Sequence, residues 1–200
     1  MSVESRSNAM TSFHEGEEFF TYKDTSDEIG VDGKRGLLTW GKGWCIERRP
    51  ADADERAAIR RITGLEKIPF DDPIALGRFL DHLKQIQKIE VSAFMHRSYL
   101  EKILPQVETE INFWPDLDDN RAAAIVDLAY NMGLYGNASK QTGLLSFKDT
   151  LTFMARHQWE DAARALLDSA YARSLPTRAK RISRVIATGE WPPEIPEPKD

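Results

Sequence analysis

Cysteine is nearly absent from this chain, with Cys45 standing alone among 200 residues. One thiol cannot close an internal disulfide, so the fold must rest on its core and does not depend on an oxidising compartment. Cys45 itself reads as a small buried apolar residue rather than a reactive thiol. Long hydrophobic runs are missing as well. No window approaches the roughly eighteen apolar residues of a membrane span, and the N-terminal segment is polar and acidic rather than signal-like. The expectation is synthesis in the cytoplasm without an export signal, and no membrane insertion. His14, His82, His96 and His157 lack metal-ligand spacing, and neither a phosphate loop nor a dinucleotide fingerprint occurs. No metal and no cofactor are therefore expected. Excess positive charge is lacking too: 27 Lys and Arg against 32 Asp and Glu leave a net charge of -5. That balance argues against nucleic-acid binding, which draws on cationic contacts to phosphate.

What is present suffices for one substantial core, or a large lobe with a smaller one attached, since 41% of the residues are apolar. The charge is uneven. Residues 140–189 hold nine basic side chains (Lys140, Lys148, Arg156, Arg164, Arg173, Arg178, Lys180, Arg181, Arg184) against four acidic ones (Asp149, Glu160, Asp161, Asp168). Such a region can be a solvated helix surface or can steer the chain toward an anionic polymer.

Hydropathy patterning divides the chain. A short helix is expected over 5–13, with Ala9, Met10 and Phe13 on one face. From 19 to 46, aromatic and β-branched runs broken by glycines, with a turn at Asp32-Gly33, read as a small antiparallel sheet. A helix capped by Asp72 with Pro73 in its first turn carries Leu76, Phe79, Leu80, Leu83 and Ile86 on one face. Another is expected over about 92–104, bent or ended by Pro105. Beyond Asp116 the pattern is helical: 121–131, 145–157, 159–169 and 176–188, followed by a Pro-rich tail over 192–200. The predicted fold class is α+β: a small N-terminal lobe over about 11–90 with a short antiparallel sheet, a helical C-terminal lobe over 116–191, a connecting helix over about 91–110, and a cleft between lobes where ligands are expected to bind.

Three residues carry the chemistry. Glu15 stands in His14-Glu15-Gly16, Asp24 in Tyr22-Lys23-Asp24, and Thr39 in the run Thr39-Trp40-Gly41-Lys42-Gly43. Two carboxyl groups in unequal environments and a hydroxyl able to hold a water are the minimum equipment for cutting a glycosidic bond. A carboxyl group that hands a proton to a departing oxygen near neutral pH needs a raised pKa. Glu15, at a helix end among aromatic residues, is the candidate, although it could equally belong to a solvated run with Glu17 and Glu18. Asp24 alone could be a turn residue, with Asp27 as a rival, and Thr39 alone an ordinary strand threonine.

These motifs resemble the T-even phage type of lysozyme, glycoside hydrolase family 24. The resemblance rests on Glu15-Gly16, Tyr22-x-Asp24 and Thr39-x-Gly41-x-Gly43, on the block from Arg121 through Ala-Ala-Ala-Ile-Val-Asp-Leu-Ala-Tyr-Asn-Met to Gly133, on Phe147, Leu151, Met154 and Trp159-Glu-Asp-Ala-Ala163, and on Pro176-Thr-Arg-Ala-Lys-Arg181 with Gly189-Glu-Trp191. It implies a lysozyme-like fold and cleavage of the β-1,4 bond between N-acetylmuramic acid and N-acetylglucosamine in bacterial peptidoglycan, with cell lysis as the consequence. By the same resemblance Glu15 is the general acid, Asp24 and Thr39 hold the attacking water, and Arg178 pairs with the catalytic glutamate. Tyr130 and Asn131 match cleft-lining positions, and Tyr171 occupies a position often filled by tryptophan. For these three, core packing or helix termination is an equally good reading. Arg181 is expected to make structural ion pairs. The glycines at 41 and 43 are expected to let backbone approach a bulky polymer.

The chain also departs from that pattern. Fourteen residues separate Asp24 from Thr39, more than the family commonly has, and the extra 26–36 is expected to lengthen the hairpin and either reshape the groove or move Asp24. Trp44 replaces a histidine, and 48–88 has no clear counterpart and is expected to add a helix. Open alternatives are a lysozyme-fold lytic transglycosylase, a chitosanase-like hydrolase, or a non-catalytic wall-binding protein. The expected partner is bacterial peptidoglycan, reached as a monomer through a holin or a secretion machine, with the chain acting on the wall in the periplasm or outside the cell.

Overall fold

The computed structural model describes residues 2–16, 18–24, 28–135 and 143–198. Glu17, Ser26, Asp27 and Lys140 lie outside the described residues. The chain forms two compact units, one comprising residues 15–98 and the other residues 1–14 with 99–200.

The strand-bearing unit, 15–98, is built on a three-stranded antiparallel sheet of β1 (Glu18–Lys23), β2 (Leu38–Gly41) and β3 (Trp44–Cys45), in that order. The register pairs Tyr22 with Thr39 and Thr39 with Cys45, so these three side chains share one face of the sheet. Trp40 and Trp44 are buried in the core of this unit with Ile59, Leu76, Leu80, Val91 and Met95. Trp44, the substitute for the histidine of the resemblance, is thus a core residue, its indole N–H donating to Arg49 O at 2.8 Å.

The 48–88 stretch forms two helices where one was expected, and the second of them packs on β1 and β2. Helix α2 (Ala53–Thr63) begins with a reciprocal capping box between Asp52 and Glu55 and ends at Gly64 in the left-handed region. Helix α3 (Pro73–Asp81) starts as the sequence indicates, with Asp72 accepting from the Ile74 and Ala75 amides. It stops before Ile86, which is 60% exposed, so that residue does not join the Leu76–Leu80 face.

Helix α4 (Gln85–Glu110) continues past Pro105, where a bend or an end was expected. Proline costs a helix interior about 3 kcal/mol. The flanking residues Ile103, Val107 and Ile111 are all buried in the core of the helical unit, and their combined burial, at about 1.5 to 3 kcal/mol each, outweighs that cost. The division between the units falls within this helix, after Ser98.

The helical unit contains α1 (Val3–Glu15) up to His14, the C-terminal part of α4, α5 (Asp119–Met132), α6 (Lys148–Ala155), α7 (Trp159–Leu167), α8 (Ala170–Ser174) and α9 (Pro176–Thr188). The sequence reading began the N-terminal lobe at residue 11, whereas α1 up to His14 groups with the helical unit. The buried face of α1 also differs: it holds Ser7, Met10 and Thr11, while Phe13 is exposed beneath the Arg181 guanidinium, 5.1 Å from its ring centroid. Helix α5 is the centre of this unit, with residues 122–130 buried without interruption. Small alanines let α5 sit close to its neighbours. Helix α9 opens with proline and ends at Gly189, φ 72°, as its sequence dictates.

Candidate active site

Glu15 is the last residue of α1, and Gly16 at φ 62° breaks the helix directly after it. Its carboxyl group lies against the turn between β2 and β3. A Cβ placed on Gly43 would stand 2.5 Å from Glu15 Oε2 and 3.3 Å from its Cδ. Gly43, at φ 72°, is therefore glycine for two reasons, a left-handed backbone and the absence of a side chain beside the carboxyl group. Gly41 plays the matching part toward α4: a Cβ there would meet Ser92 Oγ at 2.8 Å, and that oxygen accepts from the Lys42 amide at 3.2 Å. The paired glycines thus bring the turn close to groups of this same unit, where the sequence reading had assigned them to an approaching polymer.

Asp24 follows β1 and is held at the other end of the β1–β2 connection. Its amide donates to Leu37 O at 3.0 Å and its Oδ1 accepts from the Leu37 amide at 2.8 Å. These bonds close the inserted loop at its base. The described part of the insertion is itself a hairpin: Ile29 bridges Arg35, the Gly30 amide donates to Lys34 O at 2.9 Å, and Gly36 N donates to Glu28 O at 2.8 Å. Glu47 fastens it to the sheet, with one carboxylate oxygen accepting from the Val31 amide and the other from the Leu38 amide, both at 2.7 Å. Lys23 adds bonds to Asp32 Oδ1 at 2.7 Å and to Gly36 O at 2.9 Å. The extra residues are carried as an anchored hairpin while Asp24 stays in register with Leu37, two residues before Thr39.

Thr39 is 4% exposed, with its hydroxyl donating to Leu37 O at 3.3 Å. Burial, reinforced by the Asp24 charge, pushes the Cys45 thiol up, against hydrogen bonds from the Arg48 backbone and Thr39. All three sequence-predicted groups thus meet at one sheet: the Glu15 carboxyl, from the end of α1, against the β2–β3 turn, Asp24 just after β1, and Thr39 on β2.

The remaining predicted residues lie in the helical unit. Arg178, 7% exposed near the start of α9, makes a two-pronged bond with Asp127 of α5: Nε to Oδ2 and Nη2 to Oδ1, each at 2.9 Å. Asp127 also accepts from His14 Nδ1 at 3.1 Å, and the His14 and Asp127 side chains are 2% and 0% exposed. Burial alone would raise the Asp127 carboxyl, but the Arg178 charge and the hydrogen bonds from His14 and Arg178 outweigh it, holding the group below the usual carboxylate range. Arg181 pairs with Glu194 at 2.9 Å, the structural role expected of it. Asn131 and Tyr171 line one open cavity of about 1040 Å³ together with Phe147, Lys148, Asp161 and Arg164. Tyr130 does not line it; it is 7% exposed and packs edge-on against Tyr99, ring centroids 4.9 Å apart. Among the described residues no cluster of His, Cys, Asp and Glu is arranged to hold a metal ion.

The sequence reading passed over His14 and Asp127. Asp127 gave a usable signal: an acid inside the otherwise apolar run from Ala122 to Tyr130 has to find a cationic partner. His14 gave none, because its meaning depends on a residue 113 positions away.

An acid at a helix end, a second acid and a threonine on one small antiparallel sheet, and a separate helical unit together define an α+β protein of lysozyme-like fold. No protein-family model matches the chain. It is 26% identical over 184 residues to Probable T4-type lysozyme 1 of Dictyostelium discoideum, spanning 90% of this chain and 92% of that protein. The similarity supports a T4-type lysozyme-like family.

Proposed function

We propose that the chain is a peptidoglycan hydrolase of the muramidase type, cleaving the β-1,4 bond between N-acetylmuramic acid and N-acetylglucosamine. The supporting observation is that the three proposed reactive groups meet at one sheet, with the Glu15 carboxyl against Gly43 and Asp24 bonded to Leu37 beside buried Thr39. In this mechanism Glu15 protonates the leaving glycosidic oxygen as the bond to the sugar carbon breaks. Asp24, with the Thr39 hydroxyl, holds a water, takes its proton and directs it to that carbon from the opposite side. The product is inverted at the anomeric centre, which requires the two carboxyl groups to stand about 6.5 to 9.5 Å apart. No cofactor enters these steps. Asn131 and Tyr171, on the cavity of the helical unit, are the proposed substrate contacts; Tyr130 and Arg178 are support residues, the latter through Asp127. The chain would act on the bacterial wall as a monomer, after release through a holin or a secretion machine.

The test is digestion of purified peptidoglycan by wild type, Glu15→Gln and Asp24→Asn, with the new sugar ends identified by mass spectrometry. Reducing N-acetylmuramic acid ends that vanish in both variants support the proposal. Anhydro ends that persist in Asp24→Asn assign a lytic transglycosylase instead, and absence of any Glu15-dependent product removes both.

A further inference from the structure

We propose that Glu47 and Lys23 are positioning residues for the attacking water: each grips the outer end of a backbone peptide group whose inner end bonds Asp24 or Thr39. This rests on the muramidase reading, in which Asp24 and Thr39 together hold that water.

Leu37 is the link that Asp24 and Thr39 share. Its amide donates to Asp24 Oδ1 at 2.8 Å, while its carbonyl oxygen accepts from the Asp24 amide at 3.0 Å and from the Thr39 hydroxyl at 3.3 Å. These two groups of Leu37 belong to different peptide planes. A trans peptide group is planar and points its N–H and C=O in opposite directions. The Leu37 amide therefore moves with the Gly36 carbonyl, and the Leu37 carbonyl moves with the Leu38 amide.

Both planes are gripped at their far ends. Lys23 Nζ donates to Gly36 O at 2.9 Å, and the Leu38 amide donates to Glu47 Oε1 at 2.7 Å. The two clamping side chains also meet each other, with Nζ 3.7 Å from Oε1. The Glu47 side chain is 6% exposed, and burying a carboxylate is costly unless it is well bonded. Its Oε2 accepts from the Val31 amide of the inserted hairpin at 2.7 Å. Fastening the hairpin accounts for that oxygen alone. The oxygen beside Lys23 goes to Leu38, the residue before Thr39 on β2. Ile29 and Val31 of the hairpin are 67% and 58% exposed, so their packing does not stiffen the segment. Leu37 is 6% exposed, which anchors its side chain, whereas the tilt of its peptide planes is set by the bonds at their ends.

A small tilt is enough. A carbonyl oxygen lies about 1.8 Å from the line between successive Cα atoms about which its plane turns. Turning by about 30° thus carries it about 0.9 Å, and a misplacement near 1 Å can lower a rate by about 100-fold.

The experiment uses the full chain and compares E47L, which removes both acceptor oxygens, with E47Q. In E47Q the amide oxygen stays on the Lys23 side, because the ammonium group offers only donors, so the Leu38 bond is kept and the Val31 bond is lost. Thermal unfolding is recorded beside kcat and KM on purified peptidoglycan. The expected result is a lowered Tm in both variants, a kcat lower by about 10- to 100-fold in E47L with KM within about twofold, and a kcat in E47Q within about threefold of wild type. A residue that merely fastened the hairpin would make activity follow stability in the two variants. K23M releases the Gly36 carbonyl and so tests the other plane; it is expected to share the kcat loss and stands in should E47L not fold. A folded E47L or K23M with wild-type kcat, a loss confined to KM, or an E47Q as impaired as E47L overturns the inference. The E15Q and D24N controls separate the two levels: wild-type activity that survives either one removes the muramidase reading and this inference with it, whereas activity that needs both carboxyl groups and is unaffected by E47L removes the inference alone.

Discussion

Replacing Gly43 by alanine separates backbone strain from damage to the proposed proton donor. The backbone at Gly43 has φ 72°, where an L-residue with a Cβ costs about 1 to 2 kcal/mol. The new methyl group would stand 2.5 Å from Glu15 Oε2, and ordinary contact begins at 3.4 Å, so the carboxyl group must withdraw by about 0.9 Å. It is the end of a flexible side chain and can do so at little cost in stability. Its aim at the glycosidic oxygen suffers instead, by about 100-fold in kcat, or about 2.7 kcal/mol of barrier. Gly64 provides the control: its φ is 70°, and a Cβ there meets nothing within 4 Å. Gly64→Ala carries the same backbone strain at the end of α2 without touching Glu15. Both variants are expected to lose about 1 to 2 kcal/mol in urea unfolding and about 2 to 8 °C in Tm, while only Gly43→Ala loses activity on purified peptidoglycan. Equal activity in the two variants, at matched stability, refutes the reasoning.

Two further outcomes concern stability. Asp127→Asn is expected to cost about 3 to 5 kcal/mol at neutral pH, because it strips the charge from one member of a buried ion pair. The folded carboxyl lies below its ordinary value of 3.8, so its stabilisation is full above that value and is lost as pH falls through the folded one; the gap between wild type and variant in chemical unfolding should narrow from about pH 4 downward, and a gap that widens in acid contradicts the assignment. Pro105→Ala removes an exposed proline from the interior of α4 and supplies the amide that the Glu101 carbonyl lacks. It should raise stability by about 1 to 3 kcal/mol in thermal unfolding, and a loss would mean that the helix is shaped around the proline.

Local physics made much of this chain legible in advance. Asp72-Pro73 starts α3 and Pro176 starts α9 because caps and proline act on their own helix. The order Glu15, Asp24, Thr39 with the glycines at 41 and 43 pointed to the groups that one sheet brings together, since the Asp24–Leu37 bonds close the long β1–β2 connection and keep Tyr22 opposite Thr39. Pro105 misled because its local cost is overruled by Ile103 and Val107, whose burial depends on helices far along the chain. Glu47 was silent for a similar reason: one of its amide partners, Val31, belongs to an insertion whose path no periodicity reveals.

The site divides along the same line. Which side chains could do the chemistry was readable from residue type and spacing, but what fixes their geometry was not. The clearest instance is the pair of glycines, read as making room for a substrate and found beside Ser92 and Glu15. A glycine in a sequence says that something comes close and leaves its identity open, whereas a buried acid such as Asp127 demands a partner of known charge. Isolated carboxylates within apolar helical runs are therefore the better starting points for finding a buried ion-pair network from sequence. Here that rule leads from Asp127 to the basic block at Arg178 on residue type alone, and only His14, 113 positions away, needs three dimensions to be found.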